Sequence, residues 1–335
     1  QAELCSGSCE YSADPELCFP HLLNASCEKH ARPHFEAMLI YVLVSCISLL
    51  TASLNLLVIV SISHFRQLHT PTNLLLLSLA VSDFFVGLLV MPFQIAFTEP
   101  CWLLGDLMCF LYYFLPFLTV YSSVTNMVLI SVDRYVAICD PLHYSTKVTQ
   151  FKVRICVVLC WLYSVFCSFV FLSDDLKQPG RYKSCDGECV ININGAADLV
   201  ITFILPILPI IILYVRVFMV AVSQARSMRS HVAAVKLQRS LTVTVQRSEL
   251  KAARTLGVVV AVFLMCYCPY FVTSFFGNNI QMSSSTKPFF LFLLYFNSCL
   301  NPVIYAFFYP WFRKCVKLIF MLNIFQPHSC QTSIL

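Results

Sequence analysis

The sequence predicts an all-α membrane protein: a seven-transmembrane helix bundle with a short amphipathic C-terminal helix. Three observations predict it. The 335 residues are 59% hydrophobic and 12% charged, with a mean hydropathy of +0.76, which excludes an ordinary soluble domain. Apolar runs long enough to cross a bilayer, about 20 residues, recur seven times, at about 37–63, 72–97, 107–139, 153–173, 191–222, 251–277 and 286–308. Basic residues are one-sided. Of 22 Lys and Arg, 14 fall on one face: Arg66, Lys147, Lys152, Arg154, seven from Arg226 to Arg254, Arg313, Lys314 and Lys317. By the positive-inside rule that face is cytoplasmic, and an odd number of spans puts the N-terminus outside. Residues 1–36 are then an extracellular segment, 37–308 the membrane domain, and 309–335 an amphipathic helix and cytoplasmic tail. No cleavable signal peptide is visible.

Each helix carries a polar, aromatic or proline landmark. Helix one has Asn55. Helix two has Leu79-Ala80-Val81-Ser82-Asp83, and helix three ends in Asp133-Arg134-Tyr135. Helix four has Trp161 and helix five Pro206. Helix six has Phe263 and Cys266-Tyr267-Cys268-Pro269, and helix seven has Asn297-Ser298-Cys299-Leu300-Asn301-Pro302-Val303-Ile304-Tyr305. Pro206, Pro269 and Pro302 remove helix hydrogen bonds and allow kinks. The basic, amphipathic segment Tyr309–Phe320 reads as a helix lying on the inner membrane surface, where Cys315 and Cys330 are plain thiols or lipidation sites. The outer side holds eight of 18 cysteines, Cys5, Cys9, Cys18, Cys27, Cys101, Cys109, Cys185 and Cys189. An even number in an oxidising compartment implies disulfides, whose connectivity spacing does not give. Asn24-Ala25-Ser26 is a glycosylation sequon at Asn24. The eight His lie in loops or tails, no metal cluster or nucleophile–base set stands out in the spans, and no internal repeat suggests a transporter.

This ordered set resembles the rhodopsin-like G-protein-coupled receptors. The resemblance implies a G-protein switch built on Asp133, Arg134, Tyr135, Tyr214, Glu249, Asn301, Pro302 and Tyr305, with Arg134 pairing Asp133 and reaching toward Glu249. It also implies a sodium ion among Asp83, Ser123, Asn297 and Asn301, with a water-filled polar network as the other reading; oxygen ligands suit a hard cation. Two positions depart from the family: Tyr267 stands where Trp is usual, and Leu54 where Gly is usual. A narrower pattern, Phe65-Arg66-Gln67-Leu68-His69-Thr70-Pro71-Thr72-Asn73, Val90-Met91-Pro92-Phe93 and Asp133–Leu142, resembles the trace amine-associated receptors. That likeness implies olfactory-type sensing of volatile amines through a stimulatory G protein and cyclic AMP at the plasma membrane. It implies disulfides Cys109–Cys189, Cys18–Cys185 and Cys27–Cys101.

The usual ammonium anchor of amine receptors is an Asp 18 residues before the Arg, at 134 − 18 = 116, and here it is Pro116. No carboxylate lies between Asp106 and Asp133. Asp198, in the apolar run 191–222, is the replacement. It lies 198 − 190 = 8 residues past Val190, roughly 12 Å into that run at 1.5 Å per residue. A carboxylate in hydrocarbon needs a partner or a cationic ligand. A subset of trace amine receptors, known chiefly from fishes, is similar in carrying its anchor on helix five. Thr202 shares its face one turn on. Tyr112, Pro116, Phe117, Val120, Tyr121, Tyr267, Tyr270, Phe271, Ser274 and Tyr295 complete the expected pocket, the aromatics adding cation–π attraction. Glu188 or Asp186 offers a second acid, so a diamine remains open beside a monoamine, as does a non-amine ligand with Asp198 structural.

Overall fold

The computed structural model describes residues 17–21, 25–28, 34–97, 101–232, 257–273, 286–321, 326, 329–331 and 334. Six helical runs in it are long and apolar enough to cross a membrane, and a shorter apolar helix, Gly257–Thr273, stands with them. In chain order, α1 is His34–His64. The second, α2, runs Pro71–Phe85, through one widened turn at Val86–Val90, into Met91–Phe97. Next come α3, Gly105–Cys139, and α4, Gln150–Phe171. The fifth, α5, is Gly195–Asp198, a widened stretch Leu199–Ile204, then Leu205–Val232. Last are α6, Gly257–Thr273; α7, Thr286–Phe308; and α8, Pro310–Phe320. This is an all-α, multi-pass transmembrane bundle with a short C-terminal helix.

Local chemistry sets the helix starts. Thr70 accepts a hydrogen bond from Asn73 N ahead of Pro71, Thr149 caps α4 through Lys152 N, and Asn194 Oδ1 accepts from Ala197 N at 3.1 Å. That last cap corrects the expected span 191–222: Ile191–Asn194 are not helical, and α5 begins at Gly195. Asp198 therefore sits in the first turn of α5, not two turns into it. Where Pro206 follows, Leu199–Ile204 adopt the wider π turn, a common accommodation of a disrupted hydrogen-bond ladder.

The bundle is apolar outside and polar along its axis. Leu43, Leu49, Leu159, Leu162, Leu208 and Ile212 are exposed, whereas Asn55, Asp83 and Asn126 are fully buried. Polar contacts staple the helices. Asn55 Nδ2 donates to Ser298 O at 3.0 Å, Trp161 Nε1 to Ser78 Oγ at 3.2 Å, and Asn301 Nδ2 to Asp83 Oδ2 at 2.7 Å. Helix α3 packs on α2, α4 and α5, and α1 on α2 and α7. At Gly87 an added Cβ would stand 2.6 Å from Ala52 N, so only glycine admits the close α1–α2 approach, which Ser48 Oγ seals by donating to Gly87 O at 2.6 Å. In α8, Trp311, Phe312 and Cys315 are buried, and Arg313 Nη1 caps the last carbonyls of α7, Ala306 O and Phe307 O, both at 2.9 Å. Cys315, with no exposed surface, is thus an inward thiol and not a lipidation site.

Among the described residues three disulfides gather at one end of the bundle. Cys109–Cys189 is present as expected. The other two differ from the implied pairing: Cys18 joins Cys101, and Cys27 joins Cys185. The backbone explains it. Cys27 N donates to Asp186 O at 2.9 Å and Asp186 N to Ala25 O at 2.6 Å, which lays Cys27 beside Cys185. Leu17 pairs antiparallel with Glu28, carrying Cys18 to the other side, where Trp102 N donates to Gly187 O at 2.8 Å. Gly187, at φ +107°, would meet Cys18 Cβ at 2.9 Å if it had a side chain.

Candidate functional site

Below the disulfides lies a cavity of about 130 Å³. Helix α3 supplies Tyr112, Tyr113, Pro116, Phe117 and Val120, and α5 supplies Asp198 and Thr202. Tyr270 and Phe271 come from α6, Leu291, Leu294 and Tyr295 from α7, Gln94 from α2 and Ile193 from the segment before α5. Cys109–Cys189 fixes that segment to α3, and Tyr113 Oη donates to Cys189 O at 3.4 Å.

Asp198 is the one acid among the lining residues. Thr202 Oγ1, one turn on, donates to Asp198 Oδ1 at 2.6 Å. Among the described residues no Lys, Arg or His pairs with Asp198. Beneath them Tyr121, 2% exposed, stacks on Phe117 at 6.0 Å between centroids. Its hydroxyl adjoins the Asp198–Thr202 pair without reaching hydrogen-bond geometry and has no other acceptor. A half-buried carboxylate with one neutral donor and aromatic walls has the chemistry to hold a cation.

Of the expected pocket, Tyr112, Pro116, Phe117, Val120, Asp198, Thr202, Tyr270, Phe271 and Tyr295 do line the cavity. Tyr121 and Tyr267 lie under it, Tyr267 3% exposed and stacked on Phe263 at 4.1 Å. Ser274 falls outside the described residues. Glu188 does not line the cavity: its Oε2 accepts from Ser184 N at 2.9 Å, and its carboxylate stands by the Cys27–Cys185 disulfide. The sequence reading missed Gln94, Tyr113, Ile193, Leu291 and Leu294. Gln94 carried a signal, an uncharged amide inside an apolar span; the Leu and Ile positions carried none.

At the far end of α3, Arg134 Nε donates to Asp133 Oδ2 at 2.9 Å. Thr72 Oγ1 also donates to Asp133 Oδ2, at 2.8 Å, accepts from Arg134, and Tyr144 Oη donates to Asp133 Oδ1 at 2.7 Å. Burial, reinforced by Asp133, pushes the Tyr144 phenol up to about 12. Nearby, hydrogen bonds from Lys147 and then His143 hold Asp140 down to about 2. Tyr135 is half-buried against Ile138 and Val217. Among the described residues the buried hydroxyls of Tyr214 and Tyr305 have no partners, and Pro302 lies inside α7. Glu249 lies outside the described residues.

Between the two ends, Asp83 Oδ1, Asn297 Oδ1 and Asn301 Oδ1 are buried acceptors without a hydrogen-bond donor among the described residues, and Ser123 Oγ stands 3.1 Å from Ser82 Oγ. An oxygen-only set with orphaned lone pairs fits a hard monovalent cation.

Residues 54–305 match the family described as 7 transmembrane receptor (rhodopsin family). Over 334 residues the chain is 36% identical to trace amine-associated receptor 7a of Rattus norvegicus, covering 96% of this chain and 93% of the relative. It is 35% identical over 335 residues to trace amine-associated receptor 4 of Mus musculus, at 96% of each. It is 37% identical over 328 residues to trace amine-associated receptor 13c of Danio rerio, at 94% and 95%. With this bundle, the chain belongs to the rhodopsin family of seven-transmembrane receptors, a family of non-enzymatic signal transducers, and within it to the trace amine-associated receptors.

Proposed function

We propose that the protein is an olfactory-type receptor for small volatile amines, with the ligand ammonium held on Asp198 and its body enclosed by the aromatic walls. The carrying observation is Asp198: the sole acid of the cavity, hydrogen-bonded by Thr202 alone and paired with no cation of the chain among the described residues. Pro116 stands where the family's usual anchor would be, which supports grouping the chain with the receptors whose anchor is on helix five. Cavity size favours a small monoamine. About 130 Å³ is close to the roughly 150 Å³ of an engineered cavity that takes up benzene. Glu188 turned toward Ser184 gives the diamine reading no support.

In this reading residues 1–36 and the disulfides face outward and the Arg134 end faces the cytoplasm at the plasma membrane, with Asn24 glycosylated. Ammonium binding pulls on the first turns of α5, whose widened stretch Leu199–Ile204 gives them freedom to shift. Release of Arg134 from Asp133 opens the cytoplasmic end, where the unpartnered hydroxyls of Tyr214 and Tyr305 gain partners and a stimulatory G protein binds to raise cyclic AMP. A sodium ion held by Asp83, Asn297 and Asn301, with Ser123, favours the closed bundle. The test is a panel of volatile amines read out by cyclic AMP in cells carrying wild type or Asp198→Ala at equal surface level. Loss of every amine response in the variant is expected; a full response to the best amine sinks the reading.

A further inference from the structure

The cavity has two chemically different ends. One holds Asp198 and Thr202 of α5. The other gathers Gln94 of α2, Tyr112 of α3 and Tyr295 of α7. Helix α5 packs chiefly on α3, whereas α7 packs on α1 and α2, so the two ends stand across the bundle. Tyr112 Oη donates to Gln94 Oε1 at 3.0 Å, which fixes both side chains and leaves the second lone pair of that amide oxygen facing the same end of the cavity. Tyr295 is 4% exposed and lines the cavity. Among the described residues its hydroxyl makes no hydrogen bond, although Tyr112 and Tyr270 are close enough to interact with it electrostatically. A hydroxyl on a cavity wall with no protein partner among the described residues can donate to an acceptor on a ligand. Among the described residues no carboxylate lines this end, so a second ammonium would be desolvated with no countercharge. A neutral oxygen suits it: it accepts from Tyr295, and if it is a hydroxyl it also donates to Gln94 Oε1, which Tyr112 holds in place.

We infer that the cavity selects amines bearing a neutral hydrogen-bonding oxygen, above all a hydroxyl, at the end remote from the ammonium, and that Tyr295, Tyr112 and Gln94 read it. The inference rests on Asp198 as the ammonium anchor and adds the class of ligand: amino alcohols and hydroxylated arylalkylamines over plain alkylamines and diamines.

The test uses the full chain in lipid nanodiscs, with dissociation constants from ligand-induced thermal shifts, so that no G-protein assumption enters. The probes are 5-amino-1-pentanol, hexylamine and 1,5-diaminopentane, matched in heavy atoms, and tyramine against 2-phenylethylamine. The hydroxylated member of at least one pair binds about fivefold to tenfold tighter than its partner, the size of one or two neutral hydrogen bonds. Tyr295→Phe, which keeps the ring, brings that ratio near one, and Tyr112→Phe lowers it; ligand-free melting checks folding. A ratio of one or less in both pairs, a preference that survives both variants, or tightest binding of the diamine overturns the inference. Asp198→Asn separates the two layers. If plain amines bind wild type and fail on Asp198→Asn while the hydroxyl gains nothing, only the far-end inference falls. If Asp198→Asn binds amines like wild type, or no probe binds wild type, the anchor reading falls and takes the inference with it.

Discussion

Two aspartates, Asp133 near one end of the bundle and Asp198 near the other, have the same chemistry and opposite circumstances. Asp133 is saturated: Tyr144 donates to one oxygen, Thr72 and Arg134 to the other. Asp198 has Thr202 on one oxygen and open cavity beside it. A carboxylate whose partners are all internal holds a structure together. A carboxylate left short of partners in an apolar setting is open to one from outside. The difference lies in what surrounds each one: Asp133 has its cation as the next residue, Arg134, and further donors in Thr72 of α2 and Tyr144 beyond α3, whereas Asp198 has only Thr202 of its own helix.

Substitution should therefore separate them by readout. Asp133→Ala leaves Arg134 buried without its counterion, which costs about 3–5 kcal/mol; thermal unfolding of the purified receptor should show the loss, and basal signalling should rise. A variant with wild-type stability would mean the cluster is not a lock. Asp198→Ala removes no internal ion pair, so melting should change little while the potency of the best amine falls at least about 100-fold, the cost of an unpaired buried ammonium. If stability falls and potency does not, the roles are reversed. Thr202→Val deletes the one donor on Asp198 and keeps the shape; about 1 kcal/mol, or roughly fivefold in amine potency, is expected. Tyr144→Phe removes one of several donors on Asp133, and about 1 kcal/mol of stability should go with it. The smallest effect belongs to Asp140. Its folded-state pKa of about 2 lies below the ordinary carboxylate value of about 3.9. Its contribution is therefore complete above pH ~4 and lost as pH falls toward about 2. Asp140→Asn and wild type should differ by a small amount at neutral pH, and the difference should vanish as pH falls toward about 2, as melting curves would show.

The bundle was legible because a membrane demands long apolar runs, and each run here carries one landmark. The anchor face was legible because Asp198 and Thr202 are four residues apart on a helix, and Tyr112, Pro116, Phe117 and Val120 repeat at helical spacing on α3. Three features were not. The start of α5 was read too early because Ile191 and Ile193 extend the apolar run, while Asn194, four residues from Asp198, caps the helix instead. The pairing of Cys18 and Cys27 depends on which neighbours the backbone gives each one, and eight outer cysteines leave that open to any reading by spacing. Gln94 and Tyr113 enter the cavity through the meeting of helices distant in sequence, which no single helix announces.

The stretch Cys185–Cys189 is five residues long, bonded at one end to Cys27 and at the other to Cys109. A loop so short, anchored twice, has little conformational freedom left to surrender. Elsewhere, closing a flexible lid over a small molecule costs order at every encounter. Here that ordering is done once, when the disulfides form, so this end of the bundle is set before any encounter.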